Sequence, residues 1–223
     1  MANSPTTPRE RYRDEVTADI KRLAEAQLAE VGPGGLSLTG IARELGMTGP
    51  ALYRYFASRD ALLTELVIDA YNDLAAALRT AVSSNADARL AEFLHAYRTW
   101  ALAHPHRYRL LYQPPLPNFD ANADEVVAAA TGAMTILIGT VTAHHGSRSR
   151  RVSPAHASEA LAEGFSAWAD ATGVSASPDA VLDAVLIWSR LHGFVSLEIA
   201  GNLAYMAPDA DALFAVEVQS LLG

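Results

Sequence analysis

The sequence predicts an all-α chain, and three observations carry that expectation. Apolar residues recur at helical spacing through most of its 223 residues, serine and proline pairs stand where helices begin, and no alternating apolar pattern marks a strand. The expected architecture is a three-helix N-terminal head over 1–57 and a helical body over 58–223.

The head opens with a helix over about 9–31, in which Val16, Ile20, Leu23, Ala24, Gln27, Leu28 and Val31 trace one stripe, and Gly32-Pro33-Gly34-Gly35 ends it. Arg9, Arg11 and Arg13 are read as a solvated polar tail at the start of the chain, with a reach along a DNA groove or backbone as the alternative. A second helix gathers Leu38, Ile41, Ala42 and Leu45 on one face. Gly46 stops it, since glycine tolerates left-handed backbone, and Thr48 is expected to cap the next helix through its hydroxyl. That third helix, about 49–55, is held by Leu52 and Phe56, one turn apart. Pro50 and Arg54 point the other way, with Ala51, Tyr53 and Tyr55 on the flanks. Two short helices joined by a tight turn make a helix-turn-helix, which places such a free face in a DNA major groove. Arginine there can make a bidentate contact to guanine, tyrosine can reach phosphates or base edges, and Pro50 or Ala51 can touch thymine methyls. Ser58 is expected to cap a long helix running to about residue 84, with Arg59 beside it to grip a phosphate.

The run from Val31 to Leu66 resembles the N-terminal domain of the TetR family of bacterial transcriptional regulators. The resemblance rests on Ile41-Ala42, Leu45-Gly46-Met47-Thr48, the Leu52-Tyr53-x-Tyr55-Phe56 block and Ser58-Arg59-Asp60-Ala61-Leu62-Leu63. It implies that Ser37 and Thr39 contact DNA, together with Thr48, Gly49, Pro50, Ala51, Tyr53, Arg54, Tyr55 and Arg59. Tyr55 stands where the family usually has histidine and Arg59 where it usually has lysine.

The formal charge of −8 argues against a nucleic-acid partner until its distribution is considered. Residues 1–60 hold eight basic and eight acidic side chains, so the whole acidic excess lies in the body. A neutral head on an acidic body favours end-on docking, because phosphate attraction is local at physiological salt. The chain has no cysteine, which removes disulfides and thiolate chemistry. A polar N-terminus without a signal core, and no run approaching the ~18 apolar residues of a membrane span, lead to the expectation of a cytoplasmic protein.

In the body, helices are expected near 86–104, 105–112, 121–145, 154–172, 178–201 and 208–222, with Ser153-Pro154 and Ser177-Pro178 as starts. The loops are a proline-stiffened segment from Gln113 to Asn118 and a basic one holding Arg148, Arg150 and Arg151, read as a solvated turn. The helix from Pro178 is apolar nearly all round, so it is expected to be covered on a second side by its own copy about a two-fold axis, through Trp188, Leu191, Phe194, Val195 and Glu198. Trp188-x-x-x-His192-Gly193 is similar to the signature of one TetR subgroup, named for Trp-His-Gly, and points the same way. Glu198 in this setting needs a partner, for which Asn202 or a second subunit's Arg190 are candidates, or else it is partly solvated.

Aromatic residues concentrate between Phe93 and Phe119. Phe93, Tyr97, Trp100, Tyr108, Tyr112 and Phe119, joined by Met134 and Trp168, are either ordinary core or, as the resemblance implies, the lining of a pocket for a small, largely apolar effector. His104-Pro105-His106 lacks the carboxylate or thiolate neighbours of a metal site, so neither metal nor cofactor is expected. No nucleophile elbow, zinc-binding His-Glu-x-x-His helix or phosphate loop appears, which excludes the enzymes that depend on them. The reading is a DNA-binding regulator, a ligand-inducible repressor acting as a homodimer on a palindromic operator. Its alternatives are a constitutive DNA binder and a helical protein-interaction adaptor.

Overall fold

The computed structural model describes residues 7–112, 120, 123–147, 159–206 and 209–222. Among these every regular element is helical: α1 (Pro8–Val31), α2 (Leu38–Glu44), α3 (Gly49–Leu52), α4 (Arg59–Ala81), α5 (Ala86–Ala103), α6 (Pro105–Tyr112), α7 (Asp124–Ser147), α8 (Glu159–Thr172), α9 (Pro178–Ile199) and α10 (Ala210–Leu222), with a 3-10 turn at Pro33–Gly35 between α1 and α2. The expected Ser153-Pro154 start, the proline loop, the basic loop and Phe119 lie outside the described residues.

Contacts group the chain into two units. The first comprises Met1–Ala70 and Pro105–Val126, the second Tyr71–His104 and Val127–Gly223. Helix α4 contributes residues to both.

In the first unit, Ile20, Leu23, Ala24 and Leu28 of α1 meet Leu38, Ile41 and Ala42 of α2, Leu52 of α3, Phe56, and Leu62, Leu63 and Leu66 of α4 in one buried cluster. Polar clamps surround it. Lys21 donates to Asp69 Oδ2 (2.7 Å) and Glu65 Oε2 (3.0 Å), tying α1 to α4. Burial opposes the Lys21 charge, but these two carboxylates outweigh it and hold the ammonium above its ordinary pKa. Arg107 of α6 meets Glu25 of α1 at 2.7 Å.

Helix α1 begins earlier than the tail reading allows. Thr7 Oγ1 accepts from Glu10 N (3.3 Å) and Thr7 N donates to Glu10 Oε2 (2.7 Å), a capping box with Pro8 in the first turn. Arg9, Arg11 and Arg13 are therefore helical, in line with the expected helix over about 9–31 and against their reading as a polar tail. The bonds from Thr7 also hold the Glu10 carboxyl below its usual range.

In the second unit, α5 packs on α9 and α10, and α8 on α9. Phe93, Leu94, Tyr97 and Trp100 are buried with Leu137, Ile138, Val141, Leu191, Val195 and Phe214. Its polar centre is Arg98, which donates through Nε to Glu198 Oε2 (2.8 Å) and through Nη2 to Glu198 Oε1 (2.5 Å), and also meets Asp211 at 2.7 Å. Glu198 thus has its partner within the chain on α5. Arg190 bonds Glu217 (2.8 Å) and Ser220 (3.0 Å) of α10 instead.

Among the described residues two helices are long and apolar enough to cross a membrane, against the expectation of none: 124–144 and α9. Charged residues are confined to the ends of the first of these spans, while alanine, glycine and threonine interrupt its large apolar residues. Its hydropathy is therefore high on average without an unbroken apolar run.

Candidate nucleic-acid interface

The turn between α2 and α3 is built by local chemistry. Gly46 takes φ +65°, its N–H reaches Arg43 O (3.2 Å), and Met47 N–H reaches Ala42 O (2.8 Å). This paired closure satisfies the last carbonyls of α2 and swings the chain into α3. At the other end of α2, Ser37 Oγ accepts from Gly40 N (3.1 Å), while Ser37 N donates to Gln27 Oε1 of α1 (2.9 Å). A Cβ on Gly40 would lie 3.3 Å from both Gln27 Nε2 and Ser37 Oγ, so glycine permits this close approach.

Thr48 occupies the N-cap position of α3 with extended backbone, yet its side chain makes no capping bond. The expectation fails for a local reason. Pro50, the second residue of the helix, has no N–H, and the Ala51 N–H is taken by the Thr48 carbonyl (3.0 Å). Helix α3 also ends at Leu52, three residues short of the expected Tyr55, and tightens into i→i+3 bonds from Arg54 N to Ala51 O and from Tyr55 N to Leu52 O.

Leu52 and Phe56 turn inward as expected, which leaves Thr48, Pro50, Tyr53 and Arg54 exposed, with Gly49, Ala51 and Tyr55 half-buried beside them. Thr39 is exposed on the first turn of α2, its Oγ1 3.4 Å from Ser37 Oγ. Ser58 Oγ accepts from Ala61 N (3.0 Å) and caps α4. Arg59 is half-buried and donates through Nη2 to the carbonyl of Pro33. One neighbour is not foreseen from sequence: the Arg13 guanidinium lies over the Tyr55 ring, 5.9 Å from its centroid. The four-residue spacing of Arg9 and Arg13 is the available signal, obscured once both are assigned to a tail.

The aromatic residues divide between the units. Tyr108 and Tyr112 sit in the first, their rings 5.0 Å apart. Phe93, Tyr97 and Trp100 are buried in the second, which also holds Met134 of α7 and Trp168 of α8, both half-buried. Trp100 Nε1 donates to Asp73 Oδ2 at 2.8 Å and its ring stands 5.7 Å from that of His104. Asp73 is a polar group within this cluster that no sequence motif singles out.

On α9, Leu191 and Val195 are wholly buried inside the protomer, while Trp188 and Phe194 are half-buried, Phe194 against the Phe214 ring at 5.2 Å. Trp188 stacks on His192 (5.5 Å), and burial pushes the His192 pKa down. The outward stripe of α9 is Leu186, Gly193 and Leu197, the two leucines each 44% exposed. Among the described residues no cluster of three or more metal-ligating side chains occurs.

Residues 20–66 match the family model for bacterial regulatory proteins of the tetR family, and residues 90–221 match that for tetracyclin repressor-like C-terminal domains. The HTH-type transcriptional regulator Rv1816 of Mycobacterium tuberculosis is 32% identical over 215 residues, 94% of this chain and 92% of its own length. The crystal structure of SCO4313, described as a regulatory protein, has 39% identity and a TM-score of 0.80 over 97% of this chain and 100% of its own. A protein of unknown function from Rhodococcus sp. RHA1 has 28% identity and a TM-score of 0.68, with 93% of both chains covered. With a helix-turn-helix in place and both domains matched, the chain belongs to the TetR family of transcriptional regulators, DNA-binding proteins and not enzymes.

Proposed function

We propose that this regulator is a ligand-inducible repressor that binds a palindromic operator as a homodimer in the cytoplasm. The observation that carries the reading is the outward face of the helix-turn-helix: Thr39, Thr48, Pro50, Tyr53 and Arg54 are exposed together while Leu52 and Phe56 fix the segment from behind. Gly49, Pro50 and Ala51 bring no side-chain hydrogen bonds to bases, so discrimination falls on Arg54, Tyr53 and Thr39.

The dimer reading is supported by the second unit. Leu186 and Leu197 make an apolar stripe on α9, and Val216, 66% exposed, lies with Leu213 on α10. Arg190, on the same stripe of α9, reaches Glu217 and Ser220 of α10, so the two exposed stripes adjoin. A two-fold pairing of α9 and α10 would cover both and set two heads on half-sites about one helical turn or more apart, ~34 Å.

The effector reading rests on the aromatic cluster of the second unit, where Tyr97, Trp100 and Asp73 combine apolar walls with a polar group. An effector that prefers a body shape in which the heads leave register binds more weakly to the DNA-bound form, and by linkage DNA binds the liganded form more weakly. A coupling of about 1–3 kcal/mol releases an operator near its midpoint, and α4, with residues in both units, is the proposed lever.

The test is to incubate the full-length protein with a pool of random duplexes and sequence those retained. A two-fold symmetric sequence, held with an affinity that falls steeply with salt, is the expected result. Retention of asymmetric or random sequence would count against the operator-binding dimer.

A further inference from the structure

We propose that Arg9, Tyr12 and Arg13 form a second nucleic-acid contact, a phosphate-gripping face on the first two turns of α1 that continues the surface of the recognition segment. The inference rests on the operator-binding reading and extends it to an element outside the helix-turn-helix.

At about 100° per residue, Arg9, Tyr12, Arg13, Val16 and Ile20 fall within about 60° of one line along α1. Ile20 is fully buried in the core of the first unit and Val16 packs against that core. The same stripe therefore passes from core to solvent towards the start of the helix, and Arg13, one turn beyond Val16, rests on the Tyr55 ring of the recognition segment. Arg9 and Tyr12 continue the line past that contact. Tyr12 is 64% exposed and both arginines are exposed, so packing among the described residues does not explain an aromatic and two cations on the face that elsewhere builds the core.

Charge sorts around the helix in the same sense. Glu10, Asp14 and Glu15 lie about 100–140° from Arg9, away from the stripe, whereas Arg11 lies about 160° away on the opposite side. The stripe thus presents cations and a phenol without a carboxylate among them. Those are the side chains that bind phosphate and sugar, and they adjoin a surface already assigned to the major groove. The capping box of Thr7 and Glu10 orders the first turn, so a contact made by Arg9 does not carry the cost of folding a tail. Such a contact reads no bases. It would raise affinity on every sequence and fix the angle at which α3 enters the groove.

The experiment uses the full-length protein and a fluorescent duplex captured by the wild type from the random pool, beside an unselected random duplex of the same length. Binding is followed by anisotropy across a salt series. Arg9→Ala is expected to raise Kd on the order of tenfold on both duplexes and to flatten the plot of log K against log salt by about 0.9 for each phosphate no longer neutralised, roughly 2 for a change present in both protomers. Arg9→Lys should keep the slope, and Arg9→Ala with Arg13→Ala should flatten it further. Arg11→Ala, which removes the same charge from the opposite face, should leave slope and Kd at the wild-type values. Arg9 makes no core contact, so thermal melting should not move. An unchanged slope in Arg9→Ala, or an equal weakening in Arg11→Ala, overturns the α1 contact while leaving the helix-turn-helix reading intact. A wild type that captures no duplex overturns both.

Discussion

Replacing Arg98 by alanine should destabilise the second unit by about 3–5 kcal/mol, the cost of stranding a charge inside a protein. Arg98 and Glu198 are only 13% and 12% exposed, and the guanidinium binds both oxygens of the carboxylate while its carbon lies 4.7 Å over the Phe214 ring. The strong interaction with Glu198, against an opposing desolvation, holds the Arg98 pKa well above its ordinary value. Removing the arginine leaves a carboxylate among α5, α9 and α10 with no cation and opens a cavity beside Phe214. Urea unfolding followed by circular dichroism measures the destabilisation. Arg98→Met with Glu198→Leu should recover most of it, because two apolar groups of similar volume remove the stranded charge as well as the bond. A single variant as stable as the wild type would mean that the pair is more solvated than its burial indicates.

The larger effect on function is expected from Leu197→Asp. Leu197 lies on the outward stripe of α9, so the substitution leaves the protomer core intact and acts only where a second subunit is proposed to pack. A carboxylate in the centre of an apolar two-fold interface meets its own copy across the axis, adding repulsion to the reduced burial. Light scattering should then report monomers with the wild-type helical content, and affinity for a two-half-site duplex should fall by a factor of roughly a hundred or more, since a fully specific complex requires two linked heads. A Leu197→Asp protein that remains dimeric would move the interface to another helix. Phe194→Asp cannot make this distinction, because Phe194 also packs on Phe214.

How much of this is legible in the sequence depends on the range of the interactions involved. The Gly46 closure, the Ser58 cap and the inward Leu52 and Phe56 follow from neighbours within a few residues, and the sequence states them directly. The start of α1 is equally local, since Thr7-Pro8-x-Glu10 is the capping-box pattern, but it is masked by reading the arginines around it as solvated charge. Glu198 is different in kind: the acid visibly needs a partner, and the partner lies 100 residues away on α5, where no periodicity relates the two. Arg59 and Pro33, 26 residues apart, are a second such pair. The face of α9 is underdetermined because the helix is apolar on most sides, so only packing decides that Leu191 and Val195 turn inward and Leu186 and Leu197 outward.

The central claim is that the short segment following Gly46 reads DNA sequence, and the most direct measurement compares wild type with Arg54→Ala on the captured duplex and on a scrambled one. Arg54 is exposed and lies outside the core cluster, so the variant should fold normally. A weakening of about 1–3 kcal/mol is expected on the captured duplex, with a far smaller one on the scrambled duplex and relaxed choice at one base pair in each half-site. Equal affinity and unchanged preference in Arg54→Ala would contradict that claim, and would place recognition on residues other than those that α3 and its following turn hold towards solvent.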